Sequence, residues 1–287
     1  MNIYYEAILQ ASEYIEENLT QDIKVQDIIQ NVGFSQYHFM RLFKAISGHT
    51  ISNYIKRRKM TEASKLLLTT DMRILDIAVL FGYNSQEAFT RAFKEVYNVT
   101  PNTYRANNTR YRNIEQIVIN ENILNLKASA VDPMEPRIVR RDGFLIAGLK
   151  YRGSNQNFEV PKLWNQLSEK VKTIKNKIIG DHCYGYESYD DDFDRTGSFV
   201  YMAGIELSSI TALPEDFEYQ KVNSSKYAVF PISAVVENMP KSINEIYTVH
   251  LPASGLKAAR NYDFEYYDYS FEVNNMNSFI SFYVPIE

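Results

Sequence analysis

The chain has 287 residues, of which 45% are hydrophobic and 14% aromatic, and this is enough apolar material for two hydrophobic cores. Residues 1–112 contain 14 Lys and Arg against 11 Asp and Glu, a net charge of +3, whereas the remaining residues contain 17 against 24, a net charge of −7. No apolar run approaches the roughly 20 residues of a membrane-spanning helix, and Cys183 is the single cysteine, so no intramolecular disulfide can form.

The chain begins with a predicted amphipathic helix over Met1–Leu19, which carries four glutamates and does not have the character of a secretory signal. We therefore expect a cytoplasmic protein that has no membrane partner. The net positive charge of residues 1–112 is the kind that binding to nucleic acid requires.

A ten-residue segment occurs twice, 50 positions apart. The segment Ser35–Lys44 returns as Ser85–Lys94, and the two copies share the pattern SQxxFxRxFK. Each copy follows a short apolar segment that ends in a glycine, Gly33 or Gly82, and the order helix, glycine turn, helix is typical of a helix-turn-helix. The phenylalanines and their apolar neighbours fall on one stripe of each helix, which is therefore predicted to be buried.

The opposite face of each predicted helix carries side chains suited to duplex DNA. Arginine and glutamine can hydrogen-bond to guanine and adenine in the major groove, and lysine suits phosphate. A single charged face is more often merely solvated, but two copies of it favour DNA binding. The serine ahead of each helix is predicted to cap its free backbone N–H groups. The candidate DNA-binding residues are Ser35, Gln36, Tyr37, Met40, Arg41, Lys44, Ser85, Gln86, Glu87, Arg91 and Lys94.

Between the two copies, apolar residues from Ile51 to Leu67 predict a helix of about 18 residues, roughly 27 Å long. Two recognition helices held by such a spacer could enter successive major grooves about 34 Å apart. At this point the segment Ile23–Arg105 resembles the DNA-binding domain of the AraC/XylS family of bacterial transcription regulators. The resemblance implies an all-α domain of two helix-turn-helix units joined by a long helix, with promoter DNA and RNA polymerase as partners. Its main matching residues are Gly33-Phe34-Ser35, Arg41-Leu42-Phe43-Lys44, Ile74-Leu75-Asp76-Ile77-Ala78, Gly82-Tyr83, Phe89-Thr90-Arg91-Ala92-Phe93-Lys94 and Thr100-Pro101.

The resemblance also implies, by position, which side chains reach bases. Met40 can offer DNA an apolar contact alone, and a packing role is an equally good interpretation. Glu87 can accept from cytosine but repels phosphate, so we expect the second helix to bind DNA more weakly than the first. Asn98 stands where the family has a glycine, which is tolerable because asparagine also adopts the left-handed conformation. The implied base-contacting residues are Tyr37, Met40 and Arg41 in the first helix and Gln86, Glu87 and Arg91 in the second.

The second half of the chain has a different period. We assign residues 1–107 to DNA binding, 108–136 to a linker and 137–287 to a second domain. The order strand, helix, strand, strand occurs twice, which predicts an α+β domain of two β-α-β-β repeats. The predicted strands are Phe144–Tyr151, Tyr184–Tyr189, Phe199–Leu207, Tyr227–Val236, Phe264–Phe271 and Phe279–Ile286, and the helices are about Pro161–Ile178 and Pro240–Val249.

This doubled pattern resembles the GyrI-like effector-binding domain, through short matches such as Ile146-Ala147-Gly148 and Asp263-Phe264-Glu265. The resemblance implies a small-molecule cleft between the two repeats, with an acid near Glu265. Independently, a carboxylate among tyrosine rings attracts a lipophilic cation. The competing interpretation is that the tyrosines are ordinary strand residues and that Glu265 is exposed at a sheet edge. The candidate ligand-binding residues are Trp164, Tyr186, Tyr201, Glu206, Glu265 and Tyr267.

The histidines and Cys183 lack metal-ligand spacing. The acidic run Asp190–Asp194 lacks the glycine and glutamate of a calcium loop, so we interpret this run as a solvated loop. We therefore expect neither a metal nor a cofactor. The leading hypothesis is a transcription regulator, not an enzyme, controlled by a small, lipophilic cationic effector. In one alternative the second domain hydrolyses electrophilic compounds, with Glu265 and Tyr267 as base and partner. In another it is a protein-interaction module. The operator, the effector, the oligomeric state and the choice between activation and repression stay open.

Overall fold

A computed structural model describes residues 3–30, 32, 34–107, 132–171, 178–207, 213–268 and 270–287. Gly33 and most of the predicted linker, residues 108–131, lie outside the described residues. The N-terminal part is helical, as predicted. Its helices are α1 (Ile3–Glu17), α2 (Val25–Gln30), α3 (Gln36–Ser47), α4 (Ile51–Thr69), α5 (Ile74–Leu80), α6 (Gln86–Tyr97) and α7 (Pro101–Asn107).

The long helix α4 joins two helix-turn-helix units, α2 with α3 and α5 with α6, and its 19 residues span about 28 Å. In each unit the predicted apolar stripe is buried, with Phe39 and Phe43 in one and Phe89 and Phe93 in the other. We refer to α3 and α6 as the first and second recognition helices.

The ends of the recognition helices agree with the predicted caps at two positions and disagree at a third. The Ser85 hydroxyl accepts from the Ala88 N–H at 3.1 Å, and Asn98 ends α6 in the left-handed conformation at φ 59°. The predicted Ser35 cap is wrong. Its hydroxyl is buried and makes no cap hydrogen bond, while its backbone carbonyl accepts from the Phe39 N–H at 3.0 Å and starts the helix without help from the side chain.

The C-terminal part is an α+β domain with one antiparallel sheet. Two short strands, β1 and β5, were not predicted. Each of them precedes the first predicted strand of its repeat. The strands are β1 (Arg137–Arg141), β2 (Phe144–Gly153), β3 (Ile178–Ser188), β4 (Phe199–Leu207), β5 (Glu218–Val222), β6 (Ser225–Ser233), β7 (Tyr262–Tyr267) and β8 (Phe279–Ile286). The helices are α8 (Glu159–Val171), α9 (Phe193–Thr196), α10 (Met239–Glu245) and α11 (Leu251–Ser254), the last two joined by a π-helical turn over Ile246–His250.

The strand order is β1-β6-β8-β7-β3-β4-β2-β5, which reveals the internal repeat. Strands β3, β4 and β2 come from the first repeat and β6, β8 and β7 from the second, and each repeat places its short first strand against the other. The repeats meet at β7 and β3, where Glu265 lies opposite Gly185. The middle of the sheet is therefore the boundary between the repeats.

The first helix-turn-helix unit packs directly on the C-terminal helices, and buried residues of both form one hydrophobic cluster that includes Tyr4, Phe39, Tyr247 and Phe282. The Tyr5 hydroxyl donates to the Thr248 carbonyl at 2.7 Å. That carbonyl lies four residues before Pro252, which has no N–H to donate to it. The Tyr5 hydroxyl therefore donates to a carbonyl oxygen that cannot accept the usual helical hydrogen bond from residue 252.

We expect Gly148→Ala to destabilise the sheet by about 1–3 kcal/mol, because a Cβ at this position would lie 2.0 Å from the Ala203 carbonyl oxygen and 2.6 Å from the Gly204 Cα. Gly153→Ala on the same strand is the control, since its Cβ would meet the movable end of the Tyr151 side chain. Urea unfolding followed by circular dichroism measures both, and equal midpoint shifts for the two variants would contradict the expectation.

Candidate functional site

The first recognition helix presents its polar face to the C-terminal domain. The guanidinium of Arg41 donates to Asp263 at 2.5 Å and lies 3.9 Å from Glu187. It also stacks over the rings of Tyr189 and Tyr247, at 4.8 and 4.3 Å from their centroids. The Arg41 side chain is 13% exposed and that of Asp263 is 2% exposed, so this is a buried ion pair enclosed by aromatic rings.

Other predicted DNA contacts of α3 meet the same domain. The Tyr37 hydroxyl donates to Asp191 at 3.2 Å, and the Lys44 ammonium donates to the Gly197 carbonyl at 3.3 Å and lies over the Phe193 ring. Met40 is 1% exposed, in agreement with the packing interpretation of this residue. Gln36 is half-buried at the start of the helix.

The second recognition helix faces solvent. Among its predicted DNA contacts, Gln86, Glu87, Arg91 and Lys94 are all exposed. The described contacts of α6 are mainly with α4, α5 and α7. The two recognition helices are therefore equivalent in sequence but differ in accessibility, a difference that the sequence repeat gave no reason to expect.

The acidic run that follows β3 packs against the first helix-turn-helix unit. Asp194 is buried and accepts from the Ser52 backbone N–H at 3.2 Å and from its hydroxyl. Ser52 lies in the first turn of α4, where free N–H groups favour a carboxylate. The interpretation of the run as a solvated loop was therefore wrong for Asp194.

Four of the predicted ligand-binding residues lie together on the face of the sheet that carries α8. The carboxylate of Glu265 accepts from the hydroxyls of Tyr201 at 2.5 Å and Tyr267 at 2.8 Å. The Trp164 ring nitrogen donates to the Tyr201 hydroxyl at 3.0 Å, and the Trp164 ring packs edge-on against Tyr267. Glu265 is 6% exposed on a central strand, so the competing interpretation of an exposed edge residue was wrong.

The other two predicted ligand-binding residues lie on the opposite face of the sheet. Tyr186 stacks on Tyr262, and Glu206 pairs with Arg141 at 2.9 Å and accepts from the Tyr184 hydroxyl. Successive side chains of a strand point to opposite faces, which separates these residues from Glu265. They are not part of the cluster around Glu265.

Three residues beside Glu265 were not predicted as site residues from the sequence. Asp263 precedes it by two positions on β7, and Glu187 lies opposite Asp263 on β3. The period-two alternation along β7 was the signal that could have placed Asp263 on the face of Glu265, whereas Glu187 joins this face through the pairing of β3 with β7. The third is Gly185, where a Cβ would lie 2.1 Å from both the Glu265 carboxylate and the Tyr201 hydroxyl oxygen. A glycine at this position leaves the space that their hydrogen bond occupies.

The electrostatics of this face are set by burial and by the grouping of like charges. Burial raises the pKa of Glu265 to about 7, although hydrogen bonds from Tyr201 and Tyr267 oppose the rise. Burial also raises the pKa of Glu187, and the nearby Asp263 and Glu265 carboxylates raise it further, against the effect of Arg41. Burial lowers the pKa of Arg41, but Asp263, Tyr247 and Glu187 raise it by more, so the guanidinium stays charged.

Comparisons with known proteins match the two parts of the chain to different families. A family described as an integron-associated effector binding protein, Cass2, matches residues 137–286, and a helix-turn-helix domain family matches residues 14–107. The chain belongs to the Cass2 family. Its first part is an AraC-type helix-turn-helix domain, so the predicted combination of domains and the predicted fold class are both confirmed.

The relatives of this Cass2-family chain cover its two parts separately. YbfP, an HTH-type regulator of Bacillus subtilis, is 41% identical over 36% of the chain and 35% of its own length. The transcriptional activator AarP of Providencia stuartii is 37% identical over 35% of the chain and 75% of its own length. The structure of SAV2435 bound to tetraphenylphosphonium covers 54% of the chain and 94% of its own length, with 16% identity and a TM-score of 0.45.

Two further observations concern the described residues alone. Within them, no group of three or more His, Cys, Asp or Glu side chains is placed to hold a metal ion. None of the described helices combines the length and the apolar character needed to cross a membrane.

We expect Glu265→Gln to change how the stability of the chain depends on pH. The pKa of Glu265 is about 7 in the fold and 4.5 when unperturbed, so folding takes up a proton between these values. The free energy of unfolding of the wild type therefore falls by up to about 3 kcal/mol as the pH rises from about 4.5 to about 7. The variant has no carboxyl group at this position and does not lose this stability.

Urea unfolding of both proteins across this pH window measures the effect. The variant should gain stability relative to the wild type as the pH rises. A difference between the two proteins that does not change with pH would contradict the raised pKa.

Proposed function

We propose that the chain is a transcription regulator that binds promoter DNA through both recognition helices. The main support is the pairing of two AraC-type helix-turn-helix units on the rigid helix α4. The exposed face of α6 offers an arginine and a glutamine for base edges and a lysine for phosphate. The site residues Tyr37 and Arg41 on α3 would join them once that helix is accessible.

RNA polymerase at a promoter in the bacterial nucleoid is the partner that such a regulator would act on.

We expect Arg91→Ala to weaken binding to the operator by about 1–3 kcal/mol and to relax the preference at one base pair. The measurement is fluorescence anisotropy of labelled DNA from the upstream region of the gene, at two salt concentrations, with a library of single-base changes. Lys162→Ala is the control, because it removes the same charge from α8 in the C-terminal domain. Equal effects of the two substitutions would refute a base contact by Arg91.

We infer that the C-terminal domain binds a lipophilic cation beside Glu265. Support comes from a buried carboxylate that lies among the rings of Trp164, Tyr201 and Tyr267 at the boundary between the two repeats. The rings attract a cation with their faces, and the carboxylate supplies the opposite charge in surroundings of low dielectric. Both tyrosine hydroxyls donate to the same oxygen of Glu265, Oε2, and hold the carboxylate in one orientation. Because the rings and the carboxylate together suit a cation, we favour ligand binding over catalysis.

We expect tetraphenylphosphonium to bind the wild-type chain and to bind Glu265→Gln at least about tenfold more weakly, a loss of about 1.4 kcal/mol. Binding to the wild type should weaken as the pH falls below about 7, because a proton competes for the carboxylate. Isothermal titration calorimetry at several pH values measures both effects. Triphenylphosphine oxide is the neutral control, and binding that is equal for the two proteins, or for the two compounds, would exclude a cation site at Glu265.

A further inference from the structure

The Arg41 guanidinium has two potential partners, a base pair in DNA and the C-terminal domain of its own chain. In the structure it is bound by the C-terminal domain, with Asp263 at 2.5 Å and the ring centroids of Tyr189 and Tyr247 at 4.8 and 4.3 Å. A guanidinium that donates to a buried carboxylate cannot donate at the same time to guanine in a major groove. Binding of Arg41 to the domain and to DNA are mutually exclusive.

The rest of the α3 face is covered as well. Tyr37 and Lys44 donate to Asp191 and Gly197 of the C-terminal domain, and Met40 is buried. A recognition helix must place this face in the groove. In this arrangement duplex DNA can reach α6 but not α3, so the chain can use one half of its DNA-binding surface.

The site that holds Arg41 is continuous with the proposed effector site. Asp263 and Glu265 are two residues apart on β7 and lie on the same face, and Glu187 lies opposite Asp263 on β3. Two residues along a strand span about 7 Å, which is within the screening length of about 8 Å at physiological salt. A cation bound at Glu265 would therefore repel the guanidinium of Arg41 and compete with it for the same carboxylates.

The carboxylates also retain capacity for a second positive charge. Glu187, Asp263 and Glu265 face Arg41 and, more distantly, Lys44. Among the described residues, the buried Oδ1 of Asp263 has no hydrogen-bond partner. The site thus contains more carboxylates than the single guanidinium of Arg41 pairs with.

We propose that an internal receptor for Arg41, formed by Glu187, Tyr189, Tyr247 and Asp263, prevents the first recognition helix from binding DNA. A lipophilic cation that binds beside Glu265 then displaces Arg41 from this receptor and releases the helix. The proposal rests on the proposed function, because it requires both DNA binding and a cation site at Glu265. It adds the mechanism by which the second event controls the first.

The first test is the DNA affinity of full-length Asp263→Asn, measured by fluorescence anisotropy without effector. Asparagine keeps an oxygen that can accept from the Tyr247 hydroxyl, as Asp263 does at 2.6 Å, but it has no charge to hold Arg41. The variant should bind operator DNA at least about tenfold more tightly than the wild type, since a buried ion pair is costly to break. Glu206→Gln is the matched control, because it removes a carboxylate paired with Arg141 on the other face of the sheet and should leave DNA affinity unchanged.

The second test adds tetraphenylphosphonium to the same proteins. It should tighten DNA binding by the wild type and have little effect on Asp263→Asn, in which α3 is already released. Glu265→Gln should also fail to respond, because it lacks the cation site. A response of Asp263→Asn as large as that of the wild type would overturn the role of Arg41 as the coupling element.

If circular dichroism shows that Asp263→Asn does not fold, Tyr5→Phe is a second variant that tests the same prediction. It removes the hydrogen bond from α1 to the Thr248 carbonyl without altering either recognition helix or any carboxylate, and it should also raise DNA affinity. If the folded variants bind operator DNA no more tightly than the wild type, the internal receptor is refuted. If neither the variants nor the wild type binds any DNA selectively, the proposed regulatory function itself fails.

Discussion

The arrangement of the molecule depends on the ion pair between Arg41 and Asp263. Removing two charges from water costs several kcal/mol for each ion, and a close, well-oriented pair with further polar partners is needed to offset that cost. Here Asp263 also accepts from the Tyr247 hydroxyl, and the guanidinium is enclosed by two rings. The surrounding apolar cluster buries area from both domains, but the ion pair fixes which face of α3 is turned inward.

The C-terminal domain meets α3 with the kind of groups that DNA would offer. Asp191 accepts from Tyr37, the Gly197 carbonyl accepts from Lys44, and Asp194 accepts from the free N–H at the start of α4, as a phosphate would. These contacts pair acidic groups of the C-terminal half with the basic N-terminal half, so part of the negative charge has a partner within the same molecule. The net charge of −4 of the whole chain therefore does not argue against nucleic acid.

The apolar pattern of the sequence was enough to predict the elements that bury a regular apolar face. The repeated apolar stripe predicted α3 and α6, and strands Phe199–Leu207 and Phe279–Ile286 have the predicted bounds. The short strands β1 and β5 were missed because their charged sequences, Arg137–Arg141 and Glu218–Val222, become strands through pairing with the opposite repeat. The burial of Arg41 could not be predicted either, since its partner lies 222 residues away and nothing near α3 in the sequence indicates it.

The carboxylates of this face can be neutralised by Arg41 or by a proton and, in our proposal, by a foreign cation. Glu265 has a pKa near the physiological range, so a proton neutralises it at little cost when no ligand is present. In our proposal a cation displaces that proton and then lies near Asp263, which is two residues along the strand and holds the Arg41 guanidinium. If the carboxylates bound Arg41 alone and strongly, α3 would stay bound to the C-terminal domain. A site without charge would not respond to a cation. In our proposal the excess of carboxylates over cationic side chains on this face would make the position of α3 sensitive to a ligand that never contacts it.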